Sequence, residues 1–181
     1  WEGPVPHIHG ANGVGNAELP PADQTPAAEA GWDMIVRLAR ENPGELTVVT
    51  LGRMTNLALA LEKEPALPRL VKNGVAMGGA VRAPGNVSPV SEANIAGDPE
   101  AADRVFLAGF DLTLVGIDVT GKTFLTPRHL DIAEKYWAED CRPILDYMRE
   151  ALKLYFAFAC QNNRYLDRCP VHDPLAMVVA V

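Results

Sequence analysis

The sequence predicts an α/β fold in which helices flank a central, mostly parallel sheet. Short apolar segments of strand length alternate along the chain with longer segments whose apolar residues recur at helical spacing. The segment Leu46–Leu51 is rich in β-branched residues and apolar on both faces, which is typical of a central strand in a parallel sheet. The 181 residues are enough for a sizeable core. We therefore expect a single α/β domain over residues 1–181.

The first two predicted elements are a loop and a helix. Residues Trp1 to Pro20 are rich in Gly, Pro and Asn, which favours a loop. A helix is expected to begin at Thr25-Pro26, with Thr25 as the N-cap and Pro26 in the first helical position. Apolar residues then recur at helical spacing as far as Asn42, where the sequence Asn-Pro-Gly should end the helix.

The alternation of strands and helices continues through the rest of the chain. Asp98-Pro99 and Thr126-Pro127 are strong helix starts, because Asp and Thr cap helices and Pro fits the first helical position. Thr55 is expected to cap the helix after the first strand. The predicted strands are Leu46–Leu51, Asn73–Met77 and Asp111–Ile117, and the predicted helices include 98–107, 140–161 and those that begin at Thr55 and Thr126.

Composition excludes several classes of partner. The hydrophobic fraction of 48% and charged fraction of 22% are ordinary for a soluble globular protein. The net charge of −7 argues against a nucleic-acid partner and against anionic membrane surfaces. No apolar run approaches the length of about 18 residues that a transmembrane helix needs. The sequence also lacks the glycine-rich motifs that bind nucleotide phosphates.

The three cysteines are expected to be reduced and buried. Cys141, Cys160 and Cys169 lack the Cys-x-x-Cys spacing of metal sites, and an odd number cannot pair fully within the chain. Reduced thiols in a cytoplasmic protein are the simplest interpretation.

A polar segment follows the predicted strand Asn73–Met77. The strand runs into Gly78-Gly79, and the predicted loop after it carries Asn86, Glu92 and Asn94. Ligands of open α/β sheets bind at the carboxyl ends of strands. Two amides and a carboxylate at such an end can bind a polyhydroxyl compound. The alternative is a surface loop of ordinary turn residues.

A second segment of interest is His172-Asp173-Pro174. In the structural interpretation of this segment, Asp173 is an N-cap and Pro174 is the first helical residue. The alternative is a functional role, since imidazoles can donate protons near neutral pH and carboxylates can bind metal ions.

Several segments of the chain form a recognisable set when they are taken together and in order. They are Leu51–Ala58, Met77-Gly78-Gly79, Gly85-Asn86, Glu92-Ala93-Asn94, Asp98–Ala102, Gly116–Thr120 and His172–Ala176. This set resembles the nucleoside hydrolases, the inosine-uridine preferring N-ribohydrolase family, and the resemblance covers nearly the whole chain. It implies a Rossmann-like fold and hydrolysis of the N-glycosidic bond of ribonucleosides to ribose and free base.

The resemblance also implies roles for side chains that would meet the substrate. His172 would protonate the leaving base, and Asn94 would hold the ring hydroxyls of ribose. Asn86 and Glu92 would hold the 5'-hydroxyl side. The remaining substrate-binding residues would be Met77, packed near the sugar, and His9, in a mobile loop beside the active site.

The resemblance implies a Ca²⁺ cofactor as well. Its ligands would include the Asp173 carboxylate and the Leu51 backbone carbonyl. The family's Asp-x-Asp-x-x-x-Asp-Asp cluster, which supplies further ligands and activates water, has no match here. Asp118 is a candidate substitute, although its match to the family's Asp-x-Thr segment favours a structural place. We therefore expect a central piece of a longer protein, truncated at both ends and catalytically poor alone.

Two classes of function remain open on the sequence. The first is a calcium-dependent nucleoside N-ribohydrolase of purine or pyrimidine salvage, cytoplasmic and, like its relatives, a homodimer or homotetramer. The second is a catalytically inactive riboside-binding relative without a complete metal site. Within the enzyme class, another N-riboside such as a nicotinamide riboside is an alternative substrate. Ala93 stands where relatives often have Phe, and this difference would enlarge or loosen the pocket.

Overall fold

The computed structural model describes residues 5–163 and 168–181, with the side chains of residues 162 and 163 excluded. Residues 1–4 of the predicted opening loop lie outside the described residues. The chain divides into two compact units, and each is described by itself. The first contains Pro26–Thr123 and His172–Val181, and the second contains Phe124–Val171 and the described part of Gly3–Thr25. A single domain over residues 1–181 remains a prediction.

The described elements confirm the predicted α/β class. The strands are β1 (Thr47–Thr50), β2 (Asn73–Met77), β3 (Leu112–Val115), β4 (Phe124–Leu125) and β5 (Cys169–Pro170). The helices are α1 (Pro6–His9), α2 (Gly31–Glu41), α3 (Thr55–Lys63), α4 (Leu67–Leu70), α5 (Ala93–Gly97), α6 (Pro99–Leu107), α7 (Ile117–Thr120), α8 (Pro127–Tyr136), α9 (Arg142–Asn163) and α10 (His172–Ala180), with a short 3₁₀ turn at Glu139–Cys141.

The first unit is built on a parallel sheet with strand order β1-β2-β3. Successive side chains of a strand point to opposite faces, so β2 serves two cores. Val75 and Met77 pack with Ala176 of α10 on one face. Ala76 packs on the other face with the buried residues of α2, α3, α4 and α6. Helices therefore cover both faces of β2, as a parallel sheet requires.

Strand β1 lies beside β2 in the described sheet, and its place as a central strand remains a prediction. Among the described strands β1 pairs only with β2, and its four residues are half-buried. Strand β2 is the central one, and its residues Val75, Ala76 and Met77 are at most 2% exposed. Its bounds match the predicted strand.

Two helix starts differ from the prediction. Helix α2 begins at Gly31 instead of Thr25-Pro26, because its core contacts begin only at Trp32. Helix α3 contains Thr55 as its first residue and is preceded by buried Met54. The Thr55 hydroxyl donates instead to the carboxylate of Asp98. A long-range partner thus replaces the predicted local cap.

Two other predicted caps are confirmed. The Asp98 carboxylate accepts a hydrogen bond from the Ala101 amide at 3.1 Å and so caps α6. Thr126 caps α8 in a reciprocal arrangement with His129. Helix α10 begins at His172, so Asp173 lies within its first turn instead of at its N-cap.

The second unit contains α1, α8 and α9 with the antiparallel pair β4–β5. Part of the predicted opening loop is the short helix α1, which contains His9. The cysteines are free, but only Cys169 is buried, so the burial predicted for Cys141 and Cys160 is wrong. In the described part of the chain, no helix combines the length and apolarity needed to cross a membrane.

Candidate active site

The candidate site lies where the three parallel strands of the first unit end. Leu51 follows β1, Met77 ends β2, and the Gly116–Thr120 segment follows β3. The carboxyl ends of parallel strands share one edge of a sheet, so these three places are neighbours. The described geometry therefore brings together segments that the sequence separates by more than sixty positions.

Asn94 links two of these strand ends. Its Nδ2 donates to the backbone carbonyl of Met77 and lies 3.1 Å from both that oxygen and the Met77 Sδ. The same nitrogen is 3.5 Å from the carbonyl oxygen of Leu51. Three of the residues predicted from the sequence thus form one cluster. The Asn94 side-chain amide therefore lies at the ends of both β1 and β2.

Glu92 is buried and bonded to backbone amides. It is 3% exposed. Its Oε1 accepts from the Asn94 amide at 3.0 Å, and its Oε2 accepts from the Gly79 and Ile95 amides at 2.8 and 3.1 Å. A carboxylate at a helix N-terminus is stabilised by such donors and by the helix dipole. Glu92 is therefore the cap of α5 and anchors the glycine turn after β2.

Helix α5 corrects the prediction of a continuous loop between Met77 and Asp98. Asn94 lies on this short helix, whose N-cap is Glu92. The sequence pattern was interpreted as giving the Glu92 carboxylate a sugar-binding role. Its role as the N-cap before Ala93-Asn94-Ile95 was not predicted. A Cβ at Gly78 would stand 3.2 Å from both Glu92 Oε2 and Ile95 Cδ1, so glycine permits this close approach.

Asn86 ties the remaining loop to α5. Its Oδ1 accepts from the Ala93 amide at 2.9 Å. The loop also folds on itself, since the Asn86 amide donates to the Ser91 carbonyl at 3.0 Å. A Cβ at Gly85 would lie 2.2 Å from that carbonyl oxygen, which explains the glycine before Asn86. The loop that carries Asn86 is thus held against the site by side-chain and backbone contacts.

Asp118 holds the other end of this loop. Its carboxylate accepts from the amides of Val81 and Arg82 at 3.0 and 2.6 Å. These hydrogen bonds keep the pKa of Asp118 below its ordinary value. Both oxygens are engaged with backbone, so the geometry gives Asp118 a structural role.

His172 begins α10 and is partly buried. Its Nδ1 lies 2.7 Å from Oγ1 of Thr120, the last residue of α7. Burial lowers the pKa of His172, and the negative charge of Glu92 opposes that shift. Thr120 was not singled out in the sequence, although it lies in the Gly116–Thr120 segment.

The residues expected to bind calcium provide a partial donor set. Asp173 is exposed in the first turn of α10, and the Leu51 side chain is partly exposed. They offer one carboxylate and one carbonyl, whereas calcium takes about 6–8 oxygens. Across residues 5–163 and 168–181, no group of three or more His, Cys, Asp or Glu side chains is placed to hold a metal ion. These described residues alone do not fit a calcium ion.

His9 belongs to the second unit. Its ring stacks on Tyr155 with a centroid distance of 6.0 Å and an interplanar angle of 23°. Tyr155 lies on α9, so the contact joins α1 to the long helix of that unit. The predicted contact of His9 with a substrate remains a prediction.

Comparison with known proteins identifies the family. The family model for inosine-uridine preferring nucleoside hydrolases matches residues 2–181. A probable uridine nucleosidase 2 of Arabidopsis thaliana is 39% identical over 173 residues, which are 96% of this chain and 52% of that protein. An inosine-uridine preferring nucleoside hydrolase of Crithidia fasciculata is 34% identical over 177 residues, covering 97% of this chain and 54% of that protein.

Solved structures give the same result. A plant nucleoside hydrolase superimposes with a TM-score of 0.90 at 35% identity, covering 99% of this chain and 55% of that chain. A purine-preferring ribonucleoside hydrolase from Gardnerella vaginalis gives 0.89 at 34% identity, covering 97% and 54%. The chain spans about half the length of the curated relatives it matches. It belongs to the inosine-uridine preferring nucleoside hydrolase family.

Proposed function

We propose that the protein to which this chain belongs hydrolyses the N-glycosidic bond of ribonucleosides. Water adds its oxygen to the anomeric carbon and the base leaves with a proton, so the products are ribose and the free base. The observation that carries this proposal is the meeting of family segments at one sheet edge: Asn94 is bonded to the end of β2, and His172 Nδ1 lies 2.7 Å from Oγ1 of Thr120 in the segment after β3.

The role proposed for His172 follows from the chemistry of the leaving group. Cleavage at an anomeric carbon passes through an oxocarbenium-like transition state, in which the departing group gains negative charge. A base nitrogen is a poor leaving group unless it is protonated, and a positioned imidazole is an effective donor near neutral pH. Because Nδ1 of His172 faces Thr120, Nε2 is the nitrogen that we assign to the leaving base.

Asn94, Asn86 and Glu92 are proposed to bind the sugar. The Asn94 amide nitrogen is committed to the Met77 carbonyl, so its Oδ1 is the atom proposed to accept a ring hydroxyl. Oε2 of Glu92 already accepts two amides, so Oε1, which accepts one, is the oxygen proposed to accept a hydroxyl while Glu92 caps α5. The 5'-hydroxyl side is assigned to Glu92 and Asn86. A sugar fixed in this way meets His172 in one orientation.

Calcium assistance is proposed for the whole protein and not for the described residues alone. Asp173 and Leu51 are assigned as two of its oxygen ligands, and the others must come from elsewhere. When bound, a hard cation would lower the pKa of a water and hold the ribose diol. The cytoplasmic location and the homodimer or homotetramer remain predictions as well.

We propose ribonucleosides as the substrate class and assign no preference for one base. The relatives are named for uridine, for inosine with uridine and for purines. A panel of uridine, cytidine, inosine, adenosine and nicotinamide riboside therefore tests the substrate directly.

The test measures ribose release from this panel with added calcium and with a chelator. It compares the 181-residue chain with a protein that extends it to the length of the relatives. We expect release by the longer protein, loss of release with the chelator and little release by the 181 residues. Binding of ribosides without release under either condition would contradict the proposal and support a riboside-binding protein. Release that resists the chelator would contradict the calcium assignment alone.

A further inference from the structure

Thr120 is a buried polar residue whose partner lies on a distant part of the chain. It is 0% exposed, and Glu92 is the other fully buried polar or charged residue in the described part of the chain. A buried hydroxyl without a partner costs about 1–3 kcal/mol, so a partner at such a position is strongly favoured. Its Oγ1 lies 2.7 Å from Nδ1 of His172, which is 52 residues further along the chain.

The helix that carries Thr120 is fixed to the loop after β2. The Ile117 amide at the start of α7 donates to the Gly79 carbonyl at 2.9 Å. Asp118, one residue on, accepts from the amides of Val81 and Arg82. The α7 turn is therefore attached to the same segment that Glu92 anchors through Gly79. A hydroxyl on such a fixed element is a preorganised partner for an imidazole.

We propose that Thr120 is a positioning residue for His172: its Oγ1 accepts a hydrogen bond from Nδ1–H and so reserves Nε2 for proton transfer. The catalytic part of this inference rests on the proposed function. The hydrogen bond itself does not, since it is a property of α7 and α10.

The direction of the hydrogen bond matters for the chemistry. A neutral imidazole carries one N–H, and the protonated ring carries two. If Nδ1–H donates to Thr120, the ring can lose its Nε2 proton and keep this hydrogen bond in both states. If the Thr120 hydroxyl donated to Nδ1 instead, protonation of Nδ1 would force the hydroxyl to turn and become the acceptor. The first arrangement keeps the same donor and acceptor before and after the ring gives a proton to the leaving base.

The test reads the tautomer of His172 by ¹⁵N nuclear magnetic resonance, at one fixed pH at which the ring is neutral. The samples are the wild-type protein, Thr120→Val, Thr120→Ser and the control Thr123→Val. Thr123 is a matched control because its hydroxyl donates to the backbone carbonyl of Val119 at 3.3 Å. We expect the Nδ1–H tautomer in the wild type, in Thr120→Ser and in Thr123→Val. In Thr120→Val the signals should move toward the Nε2–H form.

Kinetics complete the test. Thr120→Val should lower kcat for natural nucleosides at least about tenfold with a smaller change in KM, since positioned general acids contribute about 10²–10⁴-fold. Thr120→Ser should recover most of that loss.

An Nε2–H tautomer in the wild type would overturn the proposal, and so would an unchanged tautomer and kcat in Thr120→Val. If Thr120→Val does not fold, the tautomer of His172 in the wild type and in Thr120→Ser decides the direction of the hydrogen bond. If the protein extended to the length of the relatives releases no ribose, the proposed function fails, while the ring signals of His172 still decide the direction of the hydrogen bond.

Discussion

Asn94 and Met77 are joined by a side-chain to backbone hydrogen bond, in which Asn94 Nδ2 lies 3.1 Å from the Met77 carbonyl oxygen. The bond attaches α5 to the end of the central strand. It also positions the Asn94 amide toward the Leu51 carbonyl at the end of β1. Asn94 is thus anchored to one strand end, lies beside a second, and carries the amide oxygen proposed to bind the sugar.

Asn94→Asp should weaken this connection severely. The substitution replaces an N–H donor by a carboxylate oxygen that faces two carbonyl oxygens, and leaves a part-buried charge without a donor. We expect a loss of about 1–3 kcal/mol of unfolding free energy, measured by urea denaturation, and at least tenfold lower kcat/KM. Asn42→Asp is the control, because the Asn42 side chain donates to the Leu38 carbonyl at the exposed C-terminal turn of α2. Equal stability of wild type and Asn94→Asp would contradict the role given to this amide.

Glu92→Gln should destabilise the turn after β2. The carboxylate accepts from three backbone amides, and an amide side chain would turn a donor toward some of them. We expect a loss of about 1–3 kcal/mol of unfolding free energy, together with faster hydrogen exchange at the Gly79 amide. Glu100→Gln, at an exposed position in the first turn of α6, should change neither quantity. An unchanged hydrogen-exchange rate of the Gly79 amide in Glu92→Gln would show that the Glu92 carboxylate is not needed to hold the turn after β2.

Asp98 should give the protein part of its resistance to acid. The Thr55 hydroxyl, followed by the Ala101 amide, keeps the pKa of Asp98 below its ordinary value. The folded state therefore favours the carboxylate, and this stabilisation is complete above the pKa of the unfolded chain and is lost as the pH falls through the folded pKa.

The corresponding experiment compares wild type with Asp98→Asn by urea denaturation from pH 7 to pH 3. Asn also caps helices, so the cap is largely retained while the charge is removed. The stability difference should be largest at pH 7 and shrink as the pH falls. Asp103→Asn, in the same helix and exposed, serves as the control. A difference that stays constant over this range would contradict the assignment.

The sequence predicted the features that depend on local patterns. Strand β2 has its predicted bounds, since a short apolar run before Gly78-Gly79 specifies both its type and its end. The caps at Asp98 and Thr126 were also predictable, because Asp-Pro and Thr-Pro satisfy the first helical turn locally. The family segments identified the fold class, and the comparison with known proteins confirmed the family.

The features that the sequence did not predict depend on distant residues. Thr55 bonds to Asp98, which is 43 residues away, so its capping signal was overruled by a tertiary contact. The Thr120–His172 contact spans 52 residues and has no local pattern at all. The start of α2 also depends on packing, because the helix begins where its side chains reach the core.

The central claim is that His172 protonates the leaving base, and leaving-group dependence tests it most directly. The measurement uses the protein extended to the length of the relatives and compares ribose release by the wild type and by His172→Ala. The substrates are uridine, inosine and a riboside whose leaving group is already a stable anion, such as p-nitrophenolate. His129→Ala, which alters a cap in the second unit, is the control. We expect His172→Ala to slow the natural nucleosides by about 10²–10⁴-fold and the activated riboside only slightly. An equal loss for all three substrates, or none, would contradict the account.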